Sequence, residues 1–277
     1  MSTARQRPSQ FLAPAGWALF ALALTVVVGG VWSGLLLANL AASPSVPWSV
    51  AAMAVLLWAL WEYLGGRWPP QRTSASRRVR RRARPVSPGS FAWAFGAGGL
   101  AIAALSGAWI VLVQVVGMPG NRLPDFSVVP LYTAVPVLAM ASLVNSVAEE
   151  VAFRGYLQGE LERRIGGAAA IAITALVMAP AHAATQGFVW PTFAFYLAVD
   201  AMLGASAYIT DSILPGIATH AFGILVFFTL VWPHDAGRPA PAGDVWLWIH
   251  AAQTVAFGGL SLWAFARLAK RAQTVSR

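Results

Sequence analysis

The chain has 277 residues, of which 58 % are hydrophobic and only 10 % are charged, and its mean hydropathy is +0.63. A water-soluble domain of this size would need far more polar surface, so the composition predicts an all-α, polytopic membrane helix bundle. Because the chain contains no cysteine, disulfides, thiolate catalysis and cysteine-ligated zinc are excluded together.

The net charge of +9 is concentrated in one segment of the chain. Eight arginines lie between Arg67 and Arg84, and the rest of the sequence offers no soluble domain that could hold a nucleic acid. We therefore expect residues 67–89 to form a basic cytoplasmic loop that contacts anionic lipid headgroups. We expect no nucleic-acid partner.

Apolar windows of about 20 residues predict eight membrane-spanning helices within one membrane domain, residues 1–277. These windows lie near 16–40, 46–65, 91–117, 128–150, 168–184, 189–209, 213–232 and 244–266. If the N-terminus is inside, every Lys and Arg except Arg122 and Arg238 falls on the inner side. This asymmetry indicates a multi-pass protein of the cell membrane with both termini in the cytoplasm.

The fourth predicted span continues into a charged helix. No strong helix breaker follows Pro136 before Arg164, and an unbroken helix from Val128 to Arg164 would be about 55 Å long. We therefore expect this helix to project beyond the bilayer or to be broken, with the part after Arg154 at least partly in water. The pair Gly166–Gly167 supplies the turn into the next span.

Polar residues follow three- and four-residue steps along this fourth helix, namely Ser142, Asn145, Ser146, Glu149, Glu150 and Arg154. An ionised side chain in an apolar helix costs roughly 2.5–3.5 kcal/mol on insertion, so this stripe should face the bundle interior or a water-filled cavity. Glu150 and Arg154 are four residues apart and can form an ion pair, which leaves Glu149 without a local partner. The alternative is a structural charge cluster that braces the helix end.

Two histidines lie inside strongly apolar spans, His182 and His220. Glu149 and His182 are each about 16 residues from the Gly166–Gly167 turn, so both should lie at one depth, roughly 24 Å along their helices. A carboxylate and an imidazole at one depth can polarise a water molecule or share a metal ion. Asp200, alone in its span, is a further candidate as the partner of a histidine ring nitrogen.

Two sequence blocks resemble a known family. The segment Glu149–Gly155, EEVAFRG, looks like the EExxxR motif of the CAAX protease and bacteriocin-processing family, which includes the type II CAAX prenyl endopeptidases. The segment Ala207–Gly223 is similar to the last block of that family, a turn followed by a helix that carries a motif histidine. The resemblance spans residues 131–231, which would form the catalytic core.

The resemblance implies an intramembrane endopeptidase that hydrolyses a peptide bond of a peptide or membrane-protein substrate. In this interpretation Glu149 activates the attacking water together with His182. Arg154 holds Glu150, and His220 helps to stabilise the oxyanion. Members of the family are described as zinc-dependent or as metal-independent glutamate proteases. The sequence leaves both possibilities open, with Glu149, His182 and His220 as the ligands if zinc is bound.

Three positions depart from the family pattern. Met178 stands where the second motif usually has Phe, Asp211 where the turn usually has Gly, and Ile224 where the last motif usually has Asn. Isoleucine cannot donate a hydrogen bond, and the loss of an oxyanion donor typically costs about 10²–10³ in rate. An alternative function is therefore a catalytically weak or inactive relative that binds a membrane peptide as an immunity or scaffold protein. A proton-coupled transporter would predict inverted repeats, and the sequence shows no convincing repeat.

Overall fold

The computed structural model describes residues 9–116, 126, 129–186, 189–234 and 244–275, and these residues form helices and short connections without a β-strand. The α-helices of the described part are α1 (Ser9–Ala42), α2 (Trp48–Leu64), α3 (Ser74–Arg80), α4 (Pro88–Val116), α5 (Leu131–Glu149), α6 (Gly159–Ile165), α7 (Gly167–Gln186), α8 (Trp190–Thr210), α9 (Leu214–Val226) and α10 (Val245–Val275). The predicted all-α membrane bundle is confirmed. The first residues of the chain and most of the loop predicted between the third and fourth spans lie outside the described residues.

Six helical stretches of the described part are long and apolar enough to cross a membrane, namely Ala13–Ala42, Pro88–Val116, Leu131–Ile165, Trp190–Thr210, Leu214–Val231 and Val245–Gln273. Helices α2 and α7 occupy the second and fifth predicted spans, and their apolar parts, Trp48–Leu64 and Gly167–His182, are shorter. Each of the eight predicted spans therefore corresponds to a helix, although only six of these reach the length of a full crossing.

The fourth span does not end where the charges begin but changes its hydrogen-bonding pattern. Residues Glu150–Gln158 form a π-helix that continues α5 and leads into α6. A π-helix widens the turn and thereby redirects side chains, and such segments occur frequently at functional sites. The expected contact with water is confined to the end of α6, because Arg154 and Glu160 are buried and exposure begins at Arg163.

The basic segment, residues 67–84, is folded against the bundle and contains α3. Arg77 is 6 % exposed and donates hydrogen bonds to three backbone carbonyl groups, those of Tyr63, Trp68 and Pro70. The segment also approaches the π-helix very closely, since a Cβ atom at Gly155 would lie 2.7 Å from the carbonyl oxygen of Arg80. Much of the predicted loop is therefore an ordered layer over the end of the fourth span.

Helix α5 lies centrally and packs against α1, α2 and α9. Helices α7 and α8 form a second pair, and the π-helix contacts both of them as well as α1. Helix α4 packs on α8 and α9, and α10 packs on α4 at the edge of the bundle. The polar stripe of the fourth span consequently faces the neighbouring helices, as its position in an apolar helix predicts.

Candidate active site

The paired glutamates lie at the junction of α5 and the π-helix, where Glu149 is 4 % exposed and Glu150 is fully buried. Asn145, one turn earlier on α5, donates a hydrogen bond from Nδ2 to Glu149 Oε1 at 3.0 Å. The side-chain oxygen of Asn145 accepts a hydrogen bond from Trp32 Nε1 at 3.1 Å. One oxygen of Glu149 is thus held by a chain of hydrogen bonds that begins on α1.

His220 on α9 lies between the two carboxylates. Its Nδ1 atom is 3.0 Å from Glu150 Oε1, and its Nε2 atom is 3.5 Å from Glu149 Oε2. The first distance is that of a hydrogen bond and the second is longer. Gly216, one turn before His220, permits this approach, because a Cβ atom there would lie 2.9 Å from Glu150 Oε2. The imidazole is therefore hydrogen-bonded to Glu150 and faces Glu149.

Arg154 is fully buried and contacts two carboxylates. Its Nη1 atom lies 3.4 Å from Glu150 Oε1, which is the ion pair predicted from the four-residue spacing. Its Nη2 atom lies 2.6 Å from Asp200 Oδ1 and also donates to the backbone oxygen of Asp200 at 3.2 Å. The interpretation of Asp200 as the partner of a histidine is corrected, since its carboxylate binds Arg154. No periodic pattern predicts this pairing, because α8 is apolar around most of its circumference.

The position of His182 follows from the register of α7 against the fourth span. Arg154 Nη1 contacts Met178 Sδ at 3.2 Å, which fixes the level at which the two antiparallel helices meet. From this contact, Glu149 is five residues back, about 7.5 Å, and His182 is four residues onward, about 6 Å, in the same direction. This register is compatible with the common depth that the hairpin spacing predicts for Glu149 and His182, and that depth stays a prediction. The His182 ring stacks on Tyr196 of α8 with centroids 3.7 Å apart.

The arrangement of these side chains decides how a zinc ion would fit. Glu149 Oε2 and His220 Nε2 are 3.5 Å apart, which is compatible with two ligands that each lie about 2.0–2.2 Å from one zinc ion. Within the described ranges, however, no three His, Asp or Glu side chains gather into a cluster that could hold a metal ion. As they are arranged in this structure, Glu149, His182 and His220 do not form a three-ligand site. The zinc hypothesis for Glu149, His182 and His220 stays a prediction, and no step below passes through a metal.

Arg82 of the basic segment joins the two parts of the chain that carry the acidic motif and the last histidine. It is 7 % exposed and has a φ of 55°, in the left-handed region. Its guanidinium lies 2.9 Å from Glu162 Oε2 and 3.1 Å from Asp211 Oδ1. Its Nη1 atom contacts the backbone oxygen of Arg154 at 3.5 Å, and its own backbone oxygen accepts from the N–H of Ile213 at 3.1 Å. Sequence reasoning missed this role because it assigned the whole segment to lipid contact.

A comparison with known protein families agrees with the family resemblance that the acidic and histidine motifs indicate. Residues 131–226 match the family model described as Type II CAAX prenyl endopeptidase Rce1-like. The match begins at the first residue of α5 and ends at the last residue of α9, and it includes Glu149, His182 and His220. No curated protein and no solved structure gives a significant match. The chain is thus a multi-pass membrane protein whose residues 131–226 are similar to the Rce1-like type II CAAX prenyl endopeptidases.

Proposed function

We propose that the chain is an intramembrane endopeptidase in which Glu149 activates the attacking water. The observation that supports this most is the environment of Glu149 Oε2, which is buried and has no hydrogen-bond partner among the described residues. This atom faces His220 Nε2 at 3.5 Å, while the other oxygen of Glu149 is held by Asn145. A carboxylate that is fixed at one oxygen and open at the other is well placed to act as a general base.

The proposed reaction begins when Glu149 Oε2 accepts a proton from a water molecule. The water oxygen bonds to the carbonyl carbon of the scissile peptide, and the C=O π electrons move to the carbonyl oxygen. His220, protonated on both ring nitrogens and oriented by Glu150, donates a hydrogen bond from Nε2 to this oxyanion. When the C=O bond re-forms, the C–N bond breaks and Glu149 returns its proton to the departing amine.

The neighbouring side chains position these two groups. Arg154 lies against both Glu150 and Asp200, so the positive guanidinium is shared between two buried carboxylates. Glu150 in turn orients the ring of His220 through Nδ1. His182 is stacked on Tyr196, and this fixed ring supports its predicted role as the imidazole that helps Glu149 to position the attacking water.

The test of this proposal is an unbiased comparison of membrane peptides from cells that carry the wild type or Glu149→Gln. Glu62→Gln is the matched control, because Glu62 pairs with Arg67, whose side chain is 52 % exposed, and neither residue takes part in the ion pairs of the proposed site. We expect cleavage products that depend on the wild type, disappear in Glu149→Gln and persist in Glu62→Gln. If the three cell types show identical peptides at equal protein levels, the proposed hydrolysis is wrong.

Ile224 favours the second candidate function, a relative that binds a membrane peptide without cleaving it. This residue lies one turn after His220 on the same helix and offers no hydrogen-bond donor. The two functions differ in what Glu149→Gln does to a bound peptide. In an enzyme the substitution makes uncleaved substrate accumulate on the protein, as detected by cross-linking and mass spectrometry. In a binding protein the set of cross-linked peptides stays the same.

We further propose that the protein lies in the cell membrane with the basic segment and both termini in the cytoplasm. The concentration of arginine in residues 67–84 supports this orientation. Since the chain has no cysteine, one introduced at the exposed Ser76 can be labelled selectively in intact cells. A membrane-impermeant thiol reagent should leave Ser76→Cys unlabelled until the cells are opened. If Ser76→Cys is labelled in intact cells, the basic segment lies outside the cell and the proposed orientation is wrong.

A further inference from the structure

Helices α4 and α10 form a tightly joined pair at the edge of the bundle, outside the Rce1-like domain. Ser261 is buried, and its hydroxyl donates a hydrogen bond to the backbone oxygen of Ala97 at 2.9 Å. Two turns away, Gln253 Nε2 donates to the backbone oxygen of Ala103 at 2.8 Å. Such hydrogen bonds between apolar helices fix their register. The side chains at the ends of α4 and α10 are therefore held in a defined relationship.

A cavity of about 320 Å³ opens at one end of this pair and is lined by Trp93, Trp263, Arg267, Lys270 and Arg271. The two indole rings are 5.9 Å apart. The guanidinium of Arg271 lies 4.6 Å from the Trp93 ring, and that of Arg267 lies 5.5 Å from the Trp263 ring. Both distances are those of cation–π contacts, which hold the cations at the rim of the cavity. Its volume is at the lower end of the range for small-molecule sites, about 300–1,000 Å³.

The lining of this cavity, which we call the α4–α10 pocket, is strongly cationic. Three of its five residues are Lys or Arg and none is acidic. Arg267 and Lys270 form no ion pair with any described residue. In the basic segment, by contrast, Arg80 is paired with Glu160. Unneutralised guanidinium and ammonium groups around one space favour an external anion, and the planar guanidinium matches a phosphate group especially well.

The pocket lies where a membrane surface would meet the bundle. Trp93 is near the beginning of α4, which follows the basic segment directly, and Arg271 is in the last turn of the apolar stretch that ends at Gln273. Tryptophan and long basic side chains are typical of the headgroup level. Below the pocket α10 turns apolar side chains outward, among them Leu262, which is 73 % exposed. An acyl chain could lie along this surface while the headgroup remains at the level of the cations.

We propose that the α4–α10 pocket binds the phosphate group of an anionic membrane lipid. The phosphate lies among Arg267, Lys270 and Arg271, and the glycerol backbone packs against the two indole rings. Basic pockets between transmembrane helices on the cytoplasmic side are suited to such headgroups. The site is separate from the proposed hydrolytic site, because none of its lining residues lies within residues 131–226.

The experiment is a lipid titration of the purified full chain in detergent, followed by native mass spectrometry. Phosphatidylglycerol and phosphatidylcholine with the same acyl chains are the probes, and inorganic phosphate is a third, soluble probe. The pocket variant is Arg267→Gln/Lys270→Gln. The matched control is Arg163→Gln/Arg164→Gln, which removes two exposed charges from the end of α6, outside both the pocket and the basic segment. Since each basic residue near an anionic surface contributes about 1 kcal/mol, two lost charges should weaken lipid binding about 30-fold.

We expect the wild type and the control to retain phosphatidylglycerol in preference to phosphatidylcholine, and the pocket variant to lose this preference. Equal weakening in both double variants would show that only the total charge matters, and would overturn the pocket. Displacement of phosphatidylglycerol by millimolar inorganic phosphate would identify a soluble phosphate as the ligand and overturn the assignment to lipid. If the pocket variant keeps the preference for phosphatidylglycerol, the proposed binding site in the α4–α10 pocket is wrong.

Discussion

Arg154 lies closer to Asp200 than to Glu150, its neighbour in the acidic motif. The distance from Nη2 to Asp200 Oδ1 is 2.6 Å, whereas that from Nη1 to Glu150 Oε1 is 3.4 Å. All three residues are at most 3 % exposed. Arg154 is therefore anchored to α8, and a buried ion pair connects α8 to the fourth span. Removing one partner of such a pair leaves the other charge buried without compensation.

Asp200→Asn is expected to lower the free energy of unfolding by about 3–5 kcal/mol, because the Arg154 guanidinium loses its closest anion. Unfolding of the purified protein in mixed detergent micelles measures this change. Glu62→Gln is the control, since its ion pair with Arg67 is at the surface and such pairs contribute about 0–1 kcal/mol. Equal stability of the two variants would show that Asp200 does not anchor the arginine.

Asn145→Ala is expected to lower kcat about 10–100-fold and to leave KM almost unchanged. The substitution removes the hydrogen bond to Glu149 Oε1, and hydrogen bonds to charged groups contribute roughly 1.5–3 kcal/mol. Turnover of a peptide found by the membrane-peptide comparison measures the effect. Asn39→Ala is the matched control, because Asn39 donates to the α1–α2 connection and accepts from the N–H of Ser49 in α2, so its loss should reduce stability without reducing kcat.

Ile224→Asn is expected to raise the cleavage rate, by as much as about 10²–10³ if the added amide reaches the oxyanion. The position lies one turn after His220 on α9 and is only partly buried, so an amide can be accommodated there. The same peptide assay measures the gain. Ile224→Leu keeps the side chain apolar and should leave the rate unchanged. A rate that is equal in both variants would show that another donor already serves the oxyanion.

Gly216→Ala is expected to reduce turnover about 10–100-fold, since the new Cβ would lie 2.9 Å from Glu150 Oε2 and displace the carboxylate that orients His220. Gly99→Ala on α4 is the matched control, because a Cβ there meets no atom within 4 Å. Helix propensity alone should make the control variant equal to or more stable than the wild type. Unchanged turnover in Gly216→Ala would mean that the contact between Glu150 and His220 is not needed.

Arg82→Gln is expected to loosen the beginning of α9. The substitution removes the ion pairs to Glu162 and Asp211, which hold the backbone oxygen of Arg82 against the N–H of Ile213. Hydrogen–deuterium exchange of the Ile213 amide should become faster, and the turnover of substrate should decrease. Arg82→Lys should restore the exchange rate and the turnover only in part, because an ammonium group cannot contact Glu162 and Asp211 as the planar guanidinium does. Arg78→Gln, at an exposed position, should change neither.

The sequence alone determined the class of the protein and predicted the residues of its candidate site. Composition and apolar windows predict the helix bundle, because hydrocarbon accepts a backbone only when every N–H and C=O is bonded within the helix. The four-residue spacing of Glu150 and Arg154 predicts their ion pair. The distances of Glu149 and His182 from the Gly166–Gly167 turn predict their common depth. Each of these relationships depends only on positions along one helix or one hairpin.

Only the tertiary structure decided which side chains meet across helices that are far apart in the chain. The pairing of Arg154 with Asp200 spans 46 residues, and that of Arg82 with Asp211 spans 129. Spans that are apolar on every side carry no periodic signal for their rotation, so the sequence cannot show which face of α8 meets the arginine. The sequence pattern likewise did not predict the π-helix at Glu150–Gln158. The sequence supplies the reactive groups, and the rotation of each helix in the bundle decides which of them come together.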